Sequence, residues 1–238
     1  MYEYDFRVSL SQSDDRHMMA VTSIIDVFQD CSCFHSDDIG VGFDYLRPKS
    51  LVWVINYWEL DILRTPDYGE KLTVGTFSYD FKGFLGYRNF YLRSGDEYLV
   101  KANSMWTLMD WNNMRPTKVT PEMTAAYINE EKLNMSYNSR KITLPEGDSV
   151  DITHSDGIVI MRHHLDCNGH VNNGQYVKLA FGALDNISDI AHMRVEYRSQ
   201  AHLGDRIDPV IYHQDNTYTV CLNKEDGSAY CVTEFTCR

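Results

Sequence analysis

Apolar positions along the chain repeat with two periods, and the period switches in the same order twice. Val21, Ile24, Ile25 and Phe28 stand at offsets 0, 3, 4 and 7, which is one face of an α-helix. The spacing predicts a helix over about residues 18–35, ending before Asp37-Asp38-Ile39-Gly40. Alternating stretches at 51–64, 70–81, 85–93 and 98–111 then predict strands. In the second half Val177, Ala180, Phe181 and Leu184 repeat the helical offsets, predicting a helix over about 172–187. Strands are expected before it at 157–163 and after it at 192–200, 206–214, 217–223 and 229–237. The intervening turns carry Gly, Asp and Asn, as hairpins require. A third helix is expected to start at Pro121 and run to about residue 135.

Two further features recur in order. A Gly-acid-base-aliphatic tetrad follows each long helix, at Gly69-Glu70-Lys71-Leu72 and Gly204-Asp205-Arg206-Ile207. A Gly-x-x-Tyr turn follows each tetrad, at Gly95 to Tyr98 and Gly227 to Tyr230, 26 and 23 residues on. Helix, tetrad and turn in one order point to a duplicated unit. The expected units are residues 1–136 and 153–238, joined by a polar linker at 137–152. One apolar-striped helix per long antiparallel sheet is an α+β arrangement in which the sheet wraps the helix. The expected architecture is a tandem hotdog: two antiparallel sheets, each around a central helix.

Charge narrows the partners. Among 238 residues, 34 acidic and 22 basic side chains leave a formal charge of -12. That argues against nucleic acid and against a generally basic membrane-binding surface. The longest apolar stretch, Leu51 to Trp58, is interrupted by Asn56, far short of a span. The first residues lack the basic and apolar regions of a signal peptide, so a cytoplasmic location is expected. The six cysteines form no CxxC pair, and free thiols are expected.

Between a short apolar strand and the second helix lies Asp166-Cys167-Asn168-Gly169-His170-Val171-Asn172-Asn173, followed by Tyr176. Asp166, Asn168 and His170 alternate along an extended loop and can project to one side. Asn172 or Asn173 suits a helix N-cap, which would turn free N–H groups of the first helical turn toward the loop. A carboxylate, an amide, an imidazole and a helix N-terminus are the groups that hydrolysis of an activated acyl carbonyl needs: a base for water and donors for the oxyanion. A capping loop with a half-buried His would use the same residue types. Placement at the head of the wrapped helix favours the chemical reading. His163-His164 lacks a carboxylate at ligand spacing, and adjacent residues at a strand end are expected to point apart, so no metal is expected.

This segment resembles the signature of the plant and bacterial acyl-acyl carrier protein thioesterases, Asp-x-Asn-x-His-Val-Asn-Asn followed by a Tyr. Asp166, Asn168, His170, Asn172, Asn173 and Tyr176 match it in register. Met114-Arg115-Pro116-Thr117 is similar to that family's basic stretch after the first sheet, and residues 19–30 to its first helix. The resemblance implies a fatty acyl thioester hydrolase of fatty acid biosynthesis, without cofactor, acting on acyl-phosphopantetheine held by an acyl carrier protein. Asp166, Asn168 and His170 would be catalytic, and Asn172, Asn173 and Tyr176 would contact substrate. The first unit would house the acyl chain, with Met19, Phe28 and Trp53 as candidate contacts. Plant members carry Glu-Cys where this chain has Gln200-Ala201. With Met193, Val195 and Tyr197 on the core face of the 192–200 strand, Glu196, Arg198 and Gln200 fall on the other. Gln200 can hold a water but not take its proton, which moves the proton work to Asp166 or His170.

Asp14-Asp15-Arg16-His17 precedes the first helix as Asp166 to His170 precedes the second, without the Asn and Gly, and reads as a relic of duplication. An acyl carrier protein is strongly acidic, so docking would fall to Arg47 and Lys49, Arg115 and Lys118, or Arg140 and Lys141. Acyl-CoA as donor, a non-catalytic acyl-binding role, and monomer against homodimer all stay open at this level.

Overall fold

A computed structural model describes every residue except Cys167, Asn168, Asn186 and Ser188. It divides into two compact units, Met1–Tyr137 and Asn138–Arg238.

The first unit contains β1 (Tyr2–Arg7), α1 (Val21–Asp38), α2 (Phe43–Leu46), β2 (Leu51–Ile62), β3 (Lys71–Lys82), β4 (Leu85–Ser94), β5 (Glu97–Asp110), the short β6 (Arg115–Pro116) and α3 (Pro121–Ala126). Its antiparallel sheet runs β1-β3-β4-β5-β2, with β6 beside β5. Ile24, Ile25, Phe28, Cys31 and His35 form the buried face of α1. Phe28 packs 5.3 Å from the ring of Phe90 and 6.2 Å from Trp58, and both of those side chains are wholly buried. Seven residues on along the helix, His35 meets Arg88, two residues before Phe90 on the same strand face. The Arg88 guanidinium lies 2.6 Å from His35 Nδ1 and 3.3 Å from Thr76 Oγ1. Burial first, and the neighbouring guanidinium second, push the His35 pKa down to about 3. A neutral imidazole is what this arrangement needs, because its Nδ1 must accept from a cation.

The second unit contains β7 (Asp151–His154), β8 (Ile158–Val159), α4 (Asn173–Gly182), β9 (Ile190–Tyr197), β10 (Arg206–Gln214), β11 (Thr217–Asn223) and β12 (Ala229–Cys237). Its antiparallel sheet runs β9-β12-β11-β10-β7, with β8 also on β10. Helix α4 lies on the face carrying Tyr197 and Phe235: Tyr176 packs 5.9 Å from Tyr197, and Phe181 5.9 Å from Phe235.

Several elements differ from the sequence expectation, some for a local reason and some because of a partner far away in sequence. The alternation Tyr2, Tyr4, Phe6 makes an unforeseen strand on β3. The third helix stops at Ala126 because the chain beyond it is held elsewhere: the buried Asn89 amide oxygen accepts from Leu133 N–H and Tyr137 OH. Helix α4 ends at Gly182, a poor helix former, rather than near residue 187. The expected strand at 157–163 is two residues long and leads into a 3-10 turn, Arg162–His164. That turn sets the His163 and His164 rings 4.1 Å apart, where strand alternation would have separated them.

Residues 138–145 form an ordered strap on the outer face of the second sheet. Ile142 is buried against Cys221 and Val232, and its N–H donates to Glu196 Oε2 at 3.0 Å. Arg198 completes that carboxylate's partners at 2.8 Å. Glu196 does occupy the face opposite Met193 and Val195, but the strap leaves it only 5% exposed.

Candidate active site

Between the 3-10 turn and α4, Leu165 and Val171 pair in an isolated antiparallel bridge. Asp166 N–H donates to His170 O at 2.8 Å, and His170 N–H donates back to Asp166 Oδ1 at 3.1 Å. Gly169 N–H closes the turn on Asp166 O at 3.1 Å, with a φ of +78° that a side chain would strain. Asn172 then caps α4, its Oδ1 accepting from Gly174 N–H at 2.8 Å. His170 therefore stands two residues ahead of the capped, electropositive end of a helix. The neighbouring chain after β9 is tied in twice. Val171 N–H donates to Ala201 O at 3.1 Å, and Ala201 N–H donates to Tyr176 OH at 2.8 Å. Burial pushes the Tyr176 pKa up, so its hydroxyl stays neutral. The His202 ring packs edge-on to His170, centroids 5.1 Å apart.

The same frame occurs in the first unit, displaced by 152 residues throughout. Leu10–Gln12 is a 3-10 turn as Arg162–His164 is, and Ser13↔Met19 is a bridge as Leu165↔Val171 is. Asp14 N–H donates to Met18 O at 2.8 Å, and Met18 N–H returns to Asp14 Oδ1 at 3.0 Å. His17, at φ +60°, holds the left-handed position that Gly169 fills in the second copy. Ala20 N–H donates to Gln12 O at 2.8 Å, as Asn172 N–H donates to His164 O at 3.0 Å. The duplication inferred from helix, tetrad and turn thus extends to individual hydrogen bonds. The two loops share a frame and differ in the side chains it carries. The aspartate and its backbone bond are common to both. Met18 stands where His170 does, and Ala20, with no side-chain cap, stands where Asn172 does.

The structure brings Asp166, His170, Asn172 and Tyr176 into one loop and helix head. Asn173 begins α4, and its carbonyl accepts from Tyr197 OH at 3.0 Å. The expectation for Asn168 lies outside the described residues. Strand β9 stops at Tyr197, so Gln200 is not on a strand as the pattern suggested; it is exposed, one residue before the pinned Ala201. Met19, Phe28 and Trp53 belong to the first unit. Met19 and Phe28 are wholly buried, and Trp53 packs 6.4 Å from Phe81 with its buried indole N–H unpartnered among the described residues.

Sequence reasoning missed His202 and Asp205. Asp205 Oδ2 accepts from His202 N–H at 2.9 Å and Tyr230 OH at 3.0 Å, anchoring the segment that carries Ala201. The available signal was the repeated tetrad, whose first copy holds Glu70 against Arg64 at 2.7 Å. Among the described residues no group of three or more His, Cys, Asp or Glu side chains is arranged to hold a metal. No described helix is long and apolar enough to cross a membrane.

Comparison with known proteins bears on the fold and the family. Residues 1–127 match the model of the acyl-ACP thioesterase N-terminal domain, and residues 147–233 that of the C-terminal domain. An acyl-[acyl-carrier-protein] hydrolase of Cuphea viscosissima is 22% identical over 76% of this chain and 47% of its own length. An oleoyl-acyl carrier protein thioesterase of Arabidopsis thaliana is 23% identical over 79% of this chain and 56% of its own. The chain thus spans about half the length of these curated relatives. Among solved structures, an acyl-ACP thioesterase from Bacteroides thetaiotaomicron superposes with a TM-score of 0.88 at 19% identity, covering 98% of this chain and 96% of that one. The 12:0-ACP thioesterase of Umbellularia californica superposes at 0.83 and 18% identity, covering 100% and 96%. These likenesses show the double hotdog fold, and the two domain matches together span most of the sequence. The chain belongs to the acyl-ACP thioesterase family.

Proposed function

We propose that this protein is a cytoplasmic thioesterase of fatty acid biosynthesis that hydrolyses a fatty acyl-phosphopantetheine carried on an acyl carrier protein. One observation carries the reading: an imidazole, His170, set two residues ahead of a capped helix N-terminus by a loop whose twin in the first unit lacks it. In this reaction His170 takes a proton from water as the water oxygen bonds to the thioester carbon. The developing oxyanion is met by the Asn168 amide and the N–H groups at the head of α4. Collapse breaks the C–S bond, and the protonated His170 returns its proton to the departing thiolate. Asp166 orients the loop and supplies negative charge beside the imidazolium. Gln200 holds the water, and Asn172, Asn173 and Tyr176 shape the mouth of the site. Met19, Phe28 and Trp53 line the acyl-chain end in the first unit. No metal or organic cofactor enters this scheme.

The test is a panel of acyl-carrier-protein and acyl-CoA thioesters of graded chain length, read for free thiol and free fatty acid. Thiol release from acyl carrier protein substrates, abolished by His170→Ala, supports the proposal. Preference for acyl-CoA would move the donor. The exposed amide at Gln200, in place of a carboxylate, favours one second reading, a non-catalytic acyl-binding protein. Tight binding with no thiol released would select it.

A further inference from the structure

Four exposed cations gather at one end of the first sheet, in a chain whose overall charge is -12. Arg47 and Lys49 lie in the 3-10 turn entering β2, and Arg115 lies in β6 with Lys118 just after it. The backbone joins the two segments. Leu51 pairs with Asp110, Asp110 pairs with Arg115, and Trp111 N–H donates to Ser50 O at 2.7 Å. Thr117 N–H, one residue before Lys118, returns to Leu108 O at 2.9 Å. Between the cations stand Trp111, 41% exposed, and Met114, 48% exposed.

Local composition sharpens the contrast. Residues 45–58 and 111–121 contain no acidic side chain, although the chain holds 34. The flanking carboxylates, Asp44, Asp110 and Glu122, bound the patch. Two of them are occupied: Asp110 by Asn112 N–H and Asn113 Nδ2, Glu122 by the Tyr45 hydroxyl. Among the described residues none of the four cations is in an ion pair; Lys49 Nζ rests 3.6 Å above the Tyr45 ring.

We infer that this end of the first unit is the docking face for the acidic acyl carrier protein, with Trp111 and Met114 as the apolar centre and the four cations as its rim. The inference rests on the proposed thioesterase reading and adds where the carrier sits. A long polyanion such as nucleic acid would meet the chain's acidic remainder. A compact acidic protein touches one face only and is steered to it by the local field. An aromatic and a methionine inside a ring of charge is the composition of an interface core with a polar rim.

The test compares two substrates with the same acyl group: the acyl-acyl carrier protein, and the neutral acyl-pantetheine, which lacks the carrier. In Arg47→Glu/Lys49→Glu and in Arg115→Glu/Lys118→Glu, KM for the carrier substrate should rise about tenfold or more, with a weaker salt dependence. Hydrolysis of acyl-pantetheine should be unchanged. Arg140→Glu/Lys141→Glu, on the second unit, should leave both substrates unaffected. A parallel titration with holo-acyl carrier protein, read by fluorescence anisotropy, reports docking even if no thioester is cleaved, so failure of the reaction and failure of the surface are distinguishable. Unchanged KM and anisotropy in both first-unit variants overturn the inference. So does loss of carrier binding in the Arg140/Lys141 variant alone, or binding of the wild type to anionic phospholipid vesicles but not to the carrier.

Discussion

The twin loops provide an internal control for Asp166. Each aspartate Oδ1 accepts the backbone N–H four residues on, at 3.1 Å for Asp166 and 3.0 Å for Asp14. Asp14 also accepts from Arg16 N–H at 3.0 Å and pairs with its guanidinium at 2.8 Å, where Arg16 is 45% exposed. Burial opposes ionisation of Asp14, but the Met18 and Arg16 donors outweigh it and hold the carboxyl below its ordinary range. Replacement by Asn keeps an acceptor oxygen and removes the charge. Hydrogen bonds to charged groups contribute about 1.5–3 kcal/mol and neutral ones about 0.5–1.5, so each lost charge-assisted bond costs ~1 kcal/mol. Asp166→Asn should therefore lower stability by about 1 kcal/mol, and Asp14→Asn by about 1–2, the exposed Arg16 pair adding little. Activity should divide them. A charge used with His170 contributes roughly 10²- to 10⁴-fold to rate, about 2.7–5.4 kcal/mol of barrier, well above the structural loss. The assay is urea unfolding alongside kcat/KM on an acyl-carrier-protein thioester for both variants. Asp14→Asn should leave turnover within about twofold, since an intact frame is all its loop provides. If Asp166→Asn also keeps kcat/KM within about threefold while losing its share of stability, Asp166 is only a loop staple and its chemical role is refuted.

Three other outcomes follow from single contacts. His35 has its pKa pushed down to about 3 by burial and Arg88, so the unfolded chain binds the extra proton between about pH 6.5 and 3. Unfolding free energy should therefore fall as pH drops through that window, by up to about 1.4 kcal/mol per pH unit from this group. His164, also lowered by burial, acts in the same direction, and His35→Gln should remove the larger part of the slope in urea titrations at pH 6.5 and 5; an unchanged slope contradicts the His35–Arg88 account. Tyr176→Phe leaves the buried Ala201 N–H without its 2.8 Å acceptor, which should cost about 1–3 kcal/mol. It should also lower kcat by loosening the 200–202 segment, and full activity with wild-type stability would show that contact to be dispensable. Glu196→Ala strands the buried Ile142 N–H and removes one partner of the exposed Arg198, at about 1–3 kcal/mol. Hydrogen exchange should then show residues 138–145 losing protection ahead of the strands, and retained protection at Ile142 would contradict its dependence on Glu196.

The chain's periodicity was enough for the α+β class and for the order of the long helices and main strands, and together with the repeated tetrad and turn it pointed to the duplication. Those depend on which side chains need burial, and the 3.6- and 2-residue periods record that need locally. Element ends depended on partners far away in sequence. Asn89 holds the chain at Leu133, whereas the 3-10 turn at Arg162–His164, which replaces the rest of an expected strand, is closed by its own neighbours. The loop motif was legible because its residues are contiguous and its geometry is closed by local hydrogen bonds. Its neighbours were not. His202 packs on His170 where the chain after β9 is pinned through Ala201 to Val171 and Tyr176. Glu196 was correctly assigned to the outer face, yet only the packed strap decided that this face is buried. Sequence by itself determined what each segment must hide and which groups could react. Tertiary structure alone decided which distant backbone donors and acceptors satisfy those groups, because buried polar atoms are paired across the fold and no local period encodes that pairing.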